Sequence, residues 1–175
     1  PNKKYCNIFE VGFGTGLNTF LTYKESKFIL NTKLTYSSVE PYPLKLSEIE
    51  KLNYGKKLND NDRIFNFIHN SKWNAPVQLS EDFTLIKNTS TIQNFNIEIN
   101  PDIIYFDPFC YRVQPEMWSK KIINQIVSSM SKYSVFVTFS SMKILFDSLK
   151  DLKLNVEKIP GPNKKKKMIR AIKNY

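Results

Sequence analysis

Three stretches of the chain combine residue types that can do chemistry. The first is Glu10-Val11-Gly12-Phe13-Gly14-Thr15-Gly16-Leu17-Asn18. Alternating glycines let a backbone turn sharply and approach a ligand closely. The spacing excludes two phosphate cradles. A dinucleotide turn carries glycines at offsets one, three and six, but the sixth position counted from Gly12 is Leu17. A P-loop needs Gly-Lys-Ser/Thr, which does not follow here. The second stretch ends in Glu40, 24 residues after Gly16, where a carboxylate suits a ribose diol. The third is Asp107-Pro108-Phe109-Cys110, in which an acid beside an aromatic ring suits an amine carried next to a flat base.

The acid-x-Gly-x-Gly-x-Gly arrangement resembles motif I of class I S-adenosylmethionine methyltransferases. That cofactor has no pyrophosphate; it carries an ammonium, a carboxylate, a sulfonium and a ribose. The resemblance implies that Glu10 serves the cationic amino-acid end and Glu40 the ribose hydroxyls. Asp107-Pro108-Phe109 is similar to the Asp-Pro-Pro-Tyr/Phe motif of amino-methylating nucleic-acid enzymes, without its second proline. The residues alone also admit plain roles: a tight strand-to-helix turn for the glycines, a helix cap for Asp107 and a core position for Phe109.

Apolar runs alternate with helix-period segments, the pattern of βαβ units. Strands are expected over 6–11, 34–40, 83–87, 103–106 and 135–139, the fourth buried on both faces and ending at Asp107. Helices are expected over 17–27, 43–52, 60–70, 115–130 and 142–152. The first should pack Leu17, Phe20 and Leu21. The long one should turn Trp118, Ile122, Ile123, Ile126 and Val127 inward. Segments 155–159 and 168–172 read as a closing antiparallel hairpin. Together these give an α/β fold: a mostly parallel sheet of the seven-stranded type with helices on both faces. In such sheets ligands sit beyond the carboxyl ends of the strands, which puts Asp107 at the mouth of the same cleft as the glycine turn.

The 175 residues suit one domain, with 41% hydrophobic and 24% charged residues. No apolar run reaches the roughly 20 residues of a membrane helix. Two cysteines and one histidine exclude a disulfide scaffold, argue against a zinc site and leave no Ser-His-Asp machine. His69 reads as structural and Cys110 as a small packed side chain. Trp118 and Phe109 can stack on bases, although a helix core position suits Trp118 better. The net charge is +10, and residues 150–175 hold nine Lys or Arg against two acids, a surplus of seven. Such a tail suggests a polyanion, nucleic acid first. Lysine enrichment from an AT-rich genome explains the charge equally well.

The assembled pattern resembles the MnmC/MnmD-type tRNA methyltransferases. The matching pieces are the glycine turn, Ser38-Val39-Glu40-Pro41-Tyr42-Pro43-Leu44, Tyr105-Phe106-Asp107-Pro108-Phe109 and Gln114-Pro115-Glu116-Met117-Trp118-Ser119. The tail adds Val156-Glu157-Lys158-Ile159-Pro160-Gly161-Pro162 with Lys167-Met168-Ile169-Arg170-Ala171. The resemblance implies a Rossmann-like fold and methyl transfer from S-adenosylmethionine to the aminomethyl nitrogen on C5 of a wobble uridine, in the cytoplasm. Some members carry a fused flavin-dependent domain, which is not expected here because this sequence has neither the length nor a second glycine fingerprint for it. The resemblance also implies a cofactor pocket of Glu10, Gly12, Gly14, Gly16, Asn18 and Glu40, with Asp107 at the amine. Phe109 is expected at the substrate base and Lys164, Lys165 and Lys167 at tRNA phosphates. The chain departs from the family at Pro108 and Cys110-Tyr111, at Ser141-Met142-Lys143 where Ala-Lys-Gly is usual, at Thr91, and at Lys167, which replaces an acid. It is also expected to lack the family's N-terminal segment. Two other readings fit: a methyltransferase for another exocyclic amine, and a catalytically weak RNA-binding relative.

Overall fold

β-Branched and aromatic residues concentrate in short runs separated by turn-forming Gly, Asn and Pro, and each run becomes a strand. A computed structural model describes residues 3–58, 62–161 and 167–175. In chain order the elements are β1 (Tyr5–Val11), α1 (Leu17–Ser26), β2 (Lys33–Val39), α2 (Leu46–Ile49), α3 (Tyr54–Lys57), α4 (Asp62–Asn70), β3 (Pro76–Ser80) and β4 (Phe83–Asn88). Then follow β5 (Ile103–Phe106), α5 (Lys120–Ser129), β6 (Val135–Thr138), α6 (Lys143–Asp151), β7 (Asn155–Ile159) and β8 (Met168–Ile172). Short 3-10 turns lie at Ile92–Asn94 and Pro115–Trp118. The chain divides into two compact units. The first comprises Pro1–Cys6 and Phe13–Thr91, the second Asn7–Gly12 and Ile92–Tyr175.

In the first unit the strands run in the order β3-β4-β2. β2 and β4 are parallel, with Leu34 opposite Phe83 and Val39 opposite Asn88. β3 joins β4 antiparallel, and the register shifts between Gln78 and Ser80. Aromatic rings fill the core. Phe20 meets Phe65 edge-on at 5.5 Å, and Tyr23 meets Phe83 at 5.3 Å.

In the second unit the order is β1-β5-β6-β8-β7. β1, β5 and β6 are parallel, with Val11 opposite Phe106 and Ile103 opposite Val135. β8 runs antiparallel to both β6 and β7, so the expected closing hairpin is present with Ile159 opposite Met168. The core holds Phe9, Ile104, Phe106, Ile123, Ile126, Phe136 and Leu149, all fully buried.

The structure departs from the expected elements in six places. The strands number eight among the described residues, because Pro76–Ser80 is an additional one; it lies at the edge of its group, where a proline's missing N–H costs no ladder bond. The expected helix over 43–52 shrinks to α2, which buries none of its residues and so has no apolar face to extend it. The expected helix over 115–130 breaks at Ser119, whose extended backbone caps α5 after a 3-10 turn. α1 buries Thr19, Phe20 and Tyr23 and leaves Leu21 exposed, because its aromatic partners Phe65 and Phe83 set the inward face. In β5, Ile104 and Phe106 are buried, whereas Ile103 and Tyr105 are half-buried. Tyr54–Lys57 forms a helical turn where none was expected.

Phe136 is fully buried against Phe106 at 5.5 Å between ring centres, whereas Phe28 is 82% exposed. Phe136→Ala is expected to cost about 3–5 kcal/mol of stability. Phe28→Ala is expected to stay within about 0.5 kcal/mol of the parent. Urea unfolding of both variants checks the contrast.

Candidate active site

The chain leaves β1 through the glycine turn because its path demands backbone angles that L side chains avoid. Gly12 has φ +88°, and a Cβ there would stand 3.0 Å from the backbone carbonyl oxygen of Asp107. The Asp107 N–H in turn donates to the Val11 carbonyl at 3.1 Å, extending the β1–β5 ladder by one step. Gly12 and Asp107 are therefore placed together within the second unit. The Asp107 side chain is exposed beyond the end of β5. Glu10, two residues before Gly12, is 1% exposed and lies opposite Tyr105 in the ladder.

The Phe109 side chain is 67% exposed, but its backbone is fixed: the indole N–H of Trp118 donates to the Phe109 carbonyl at 3.1 Å. Trp118 is buried and packs edge-on against Phe106 at 5.1 Å, which gives it the core role. Cys110 is exposed, contrary to the expected packed position, because the chain turns outward over 109–113 after β5.

The first unit holds the rest of the expected cofactor set. The Gly14 N–H donates to Glu40 Oε2 at 3.0 Å, and the Tyr42 N–H donates to Glu40 Oε1 at 2.9 Å. Each carboxylate oxygen thus has one backbone donor and keeps acceptor capacity for hydroxyls. The Glu40 N–H donates to the Asn88 carbonyl at 2.9 Å, which ties this residue to the end of β4. Gly16 is buried and closes the turn through its N–H to the Phe13 carbonyl at 2.9 Å. Asn18 is half-buried in the first turn of α1. Of the expected phosphate-binding lysines, Lys167 is exposed, and Lys164 and Lys165 lie outside the described residues.

Thr15, Tyr54 and Lys87 went unread in the sequence, and His69 was read as structural. The Thr15 hydroxyl bonds the Tyr54 hydroxyl at 3.2 Å. His69 Nε2 lies 3.1 Å from the Thr15 carbonyl, so the neutral ring carries its proton on that nitrogen. Burial lowers the His69 pKa from 6.5, the Thr15 bond offsets part of this, and the charge of Lys87 lowers it further, to about 4. Lys87 itself is fully buried, and burial lowers its pKa from 10.5 to about 8. One sequence signal pointed to it: Phe83, Leu85 and Lys87 share one phase of a period-two strand, and the other two face the core.

These residues fit S-adenosylmethionine. The turn leaves no room for a side chain at Gly12, and Glu40 is anchored by two N–H groups with lone pairs to spare for a diol. A model of the S-adenosyl-L-methionine-dependent methyltransferase family matches residues 72–174. The tRNA 5-methylaminomethyl-2-thiouridine biosynthesis bifunctional protein MnmC of Campylobacter fetus is 28% identical over 180 residues, covering 97% of this chain and 29% of the relative. The protein of the same name from Leptospira borgpetersenii is 30% identical over 173 residues, covering 94% and 26%. The crystal structure of MnmC2 from Aquifex aeolicus superposes with a TM-score of 0.73 at 20% identity, covering 97% of this chain and 53% of that one. The expected methyltransferase fold is therefore present. The chain spans little more than a quarter of the length of those curated relatives.

Gly12→Ala is expected to destabilise by about 1–3 kcal/mol from φ alone, with the Asp107 carbonyl clash added. Gly14, at φ +50°, has nothing within 4 Å of its would-be Cβ, so Gly14→Ala should incur only the backbone term. Chemical denaturation ranks the two. Because the folded pKa of His69 lies below its unfolded value, its stabilising contribution is complete above pH 6.5 and is lost as pH falls toward 4. His69→Gln should flatten that part of the stability–pH curve, as measured by thermal melts from pH 7 to 4.

Proposed function

The chain belongs to the S-adenosyl-L-methionine-dependent methyltransferase family, and on that premise we propose that it methylates the aminomethyl nitrogen on C5 of a tRNA wobble uridine in the cytoplasm. The observation that carries this reading is Asp107. It is an exposed carboxylate whose backbone is pinned to Val11 and Gly12 at the start of the cofactor turn. The relatives named for 5-methylaminomethyl-2-thiouridine biosynthesis give the substrate class, and an exocyclic amine is the chemistry that such an acid serves.

When bound, S-adenosylmethionine supplies an electrophilic methyl group on a sulfonium. The roles of the chain's own residues then divide. Glu40 accepts from the ribose hydroxyls with the lone pairs that Gly14 and Tyr42 leave free. Gly12, Gly14 and Gly16 let the backbone lie close to the ligand, with Asn18 following in α1. Glu10, buried beneath the turn, contributes negative potential toward the cationic amino-acid end. Asp107 accepts an N–H bond from the neutral substrate amine and so aims the nitrogen lone pair at the methyl group, or its carboxylate takes up the proton that the ammonium form must first lose. A carboxylic acid with a reference pKa near 4 is a weak base toward an amine, so orientation is its larger contribution. The exposed ring of Phe109 stacks on a base, and Lys164, Lys165 and Lys167 meet phosphates.

Asp107→Asn keeps the size and the acceptor oxygen but removes the charge. It should bind S-adenosylhomocysteine as the parent does, by calorimetry, and lose about 100-fold or more in turnover on tRNA carrying 5-aminomethyluridine. Full turnover by purified Asp107→Asn would remove Asp107 from the mechanism. Nucleoside mass spectrometry of the treated tRNA identifies the product; methyl found only on another base amine would replace this substrate with that one.

A further inference from the structure

The methyl-transfer reading makes no use of the one buried lysine in the first unit. Lys87 occupies an inward position of β4 and is fully buried, with its Nζ donating to the Ile68 carbonyl at 2.7 Å and the His69 carbonyl at 2.9 Å. Those carbonyls belong to the last turn of α4, where the helix dipole is negative and main-chain oxygens lack helical partners. The ammonium also stands 4.6 Å from the ring centre of Trp73 and 5.5 Å from that of Phe13. Two π faces and two carbonyls therefore surround the charge, and burial lowers its pKa. With that pKa at about 8, the group is still a cation near neutral pH.

Lys87 reaches the glycine turn through the ring of Phe13 and through His69. Phe13 lies between Gly12 and Gly14, and its ring meets Trp73 edge-on at 5.5 Å and His69 edge-on at 5.6 Å. His69, whose carbonyl Lys87 binds, reaches back to the Thr15 carbonyl through Nε2. A Cβ on Gly16 would come within 3.0 Å of His69 Nε2 and 3.1 Å of Phe13 Cζ, so both rings already lie hard against the turn. The backbone of Lys87 is anchored as well: its carbonyl accepts from Asn74 N–H at 2.6 Å, and the next residue, Asn88, accepts from Glu40 N–H. One side chain and its immediate neighbour thus connect to the turn and to the ribose carboxylate.

We propose that Lys87 is a positioning residue for the cofactor turn. Its ammonium clamps the end of α4 and the faces of Phe13 and Trp73, so that His69 is held on the Thr15 carbonyl and the turn is preorganised to bind the adenosyl cofactor. This rests on the S-adenosylmethionine reading above. A lysine outperforms an apolar residue here because Met or Leu would remove a charged donor from both carbonyls inside the core and leave the Ile68 carbonyl with its bond from the Ser71 hydroxyl at 2.7 Å. If loss of the clamp leaves the turn binding-competent for a tenth of the time, apparent affinity falls about tenfold, while bound protein turns over as before.

The test compares parent, Lys87→Met and Trp73→Leu at pH 7, well below the melting midpoint of each. S-adenosylhomocysteine is the calorimetric probe, and circular dichroism confirms folding. Lys87→Met is expected to raise Kd about tenfold and to raise KM for S-adenosylmethionine in parallel with kcat held. A merely structural lysine would lower the melting midpoint and leave Kd and KM at the parent values; that result overturns the proposal. If Lys87→Met does not fold, Trp73→Leu decides. It keeps the lysine and removes one face of its cage, so weakened S-adenosylhomocysteine binding with kcat held supports the clamp, and parent affinity overturns it. A parent protein that binds no S-adenosylhomocysteine is a distinct result and overturns the cofactor reading itself.

Discussion

The backbone of Gly12 sets the terms for everything near the end of β1. At φ +88°, with the Asp107 carbonyl where a Cβ would stand, the chain can leave the strand only as glycine. This close approach has two consequences. The main chain stays bare where the proposed cofactor site lies, and Asp107 is the first residue past the β1–β5 ladder. The parallel pairing of β1 with β5 then fixes which way the acid emerges. Side chains alternate along a strand, and Ile104 and Phe106 take the inward phase of β5. The position of Asp107 thus follows from a hydrophobic alternation and one glycine.

The strong positive charge of the chain is put to more than one use. Three lysines act as caps on helix ends. Lys87 binds the last carbonyls of α4, Lys173 binds the Val127 and Met130 carbonyls at the end of α5, and Lys24 binds the Leu58 carbonyl after α3. Each puts a cation at the negative end of a helix and adds a charged donor to carbonyls there. Composition alone cannot separate these lysines from those that meet solvent, because the distinction lies in where each amine ends. A count of surplus charge therefore overstates the cations left for a polyanion. The surplus in residues 150–175 is the better guide, although Lys173 within it is already engaged.

How much of this was legible in the sequence depended on whether local pattern and tertiary packing agreed. β1, the inward stripe of α5 and the hairpin of β7 with β8 all have apolar periodicity that matches their burial, and each was read correctly; β5 was read at its bounds but is buried on one phase only. The glycine turn and Glu40 were legible because spacing alone implies a strand, a turn and a distant carboxylate. Elements whose form depends on distant partners were not. α1 turns Tyr23 inward and Leu21 outward because Phe83 accepts a ring. Pro76–Ser80 has one buried side chain, Leu79, too little alternation to mark a strand. Lys87 broke the inward phase of β4, and a polar residue in an apolar phase is the kind of local conflict that marks a constrained site.

The two acids near β1 and β5 show why residue type and spacing underdetermine a role. Glu10 and Asp107 are both carboxylates next to the same turn, and the sequence assigns each to a cationic partner. Burial separates them. Glu10 has 1% of its surface exposed, so any group it serves must come to the interior or feel its field through the turn. Asp107 is exposed and can accept a hydrogen bond from an arriving molecule. Transfer to an amine requires a nitrogen whose lone pair is free and aimed, and an exposed acceptor on a rigid strand end can do the aiming. In the reaction proposed above, the buried acid is the one to bias the cofactor, and the exposed acid the one to bias the incoming substrate. That division needs only the difference in burial between two residues of the same charge.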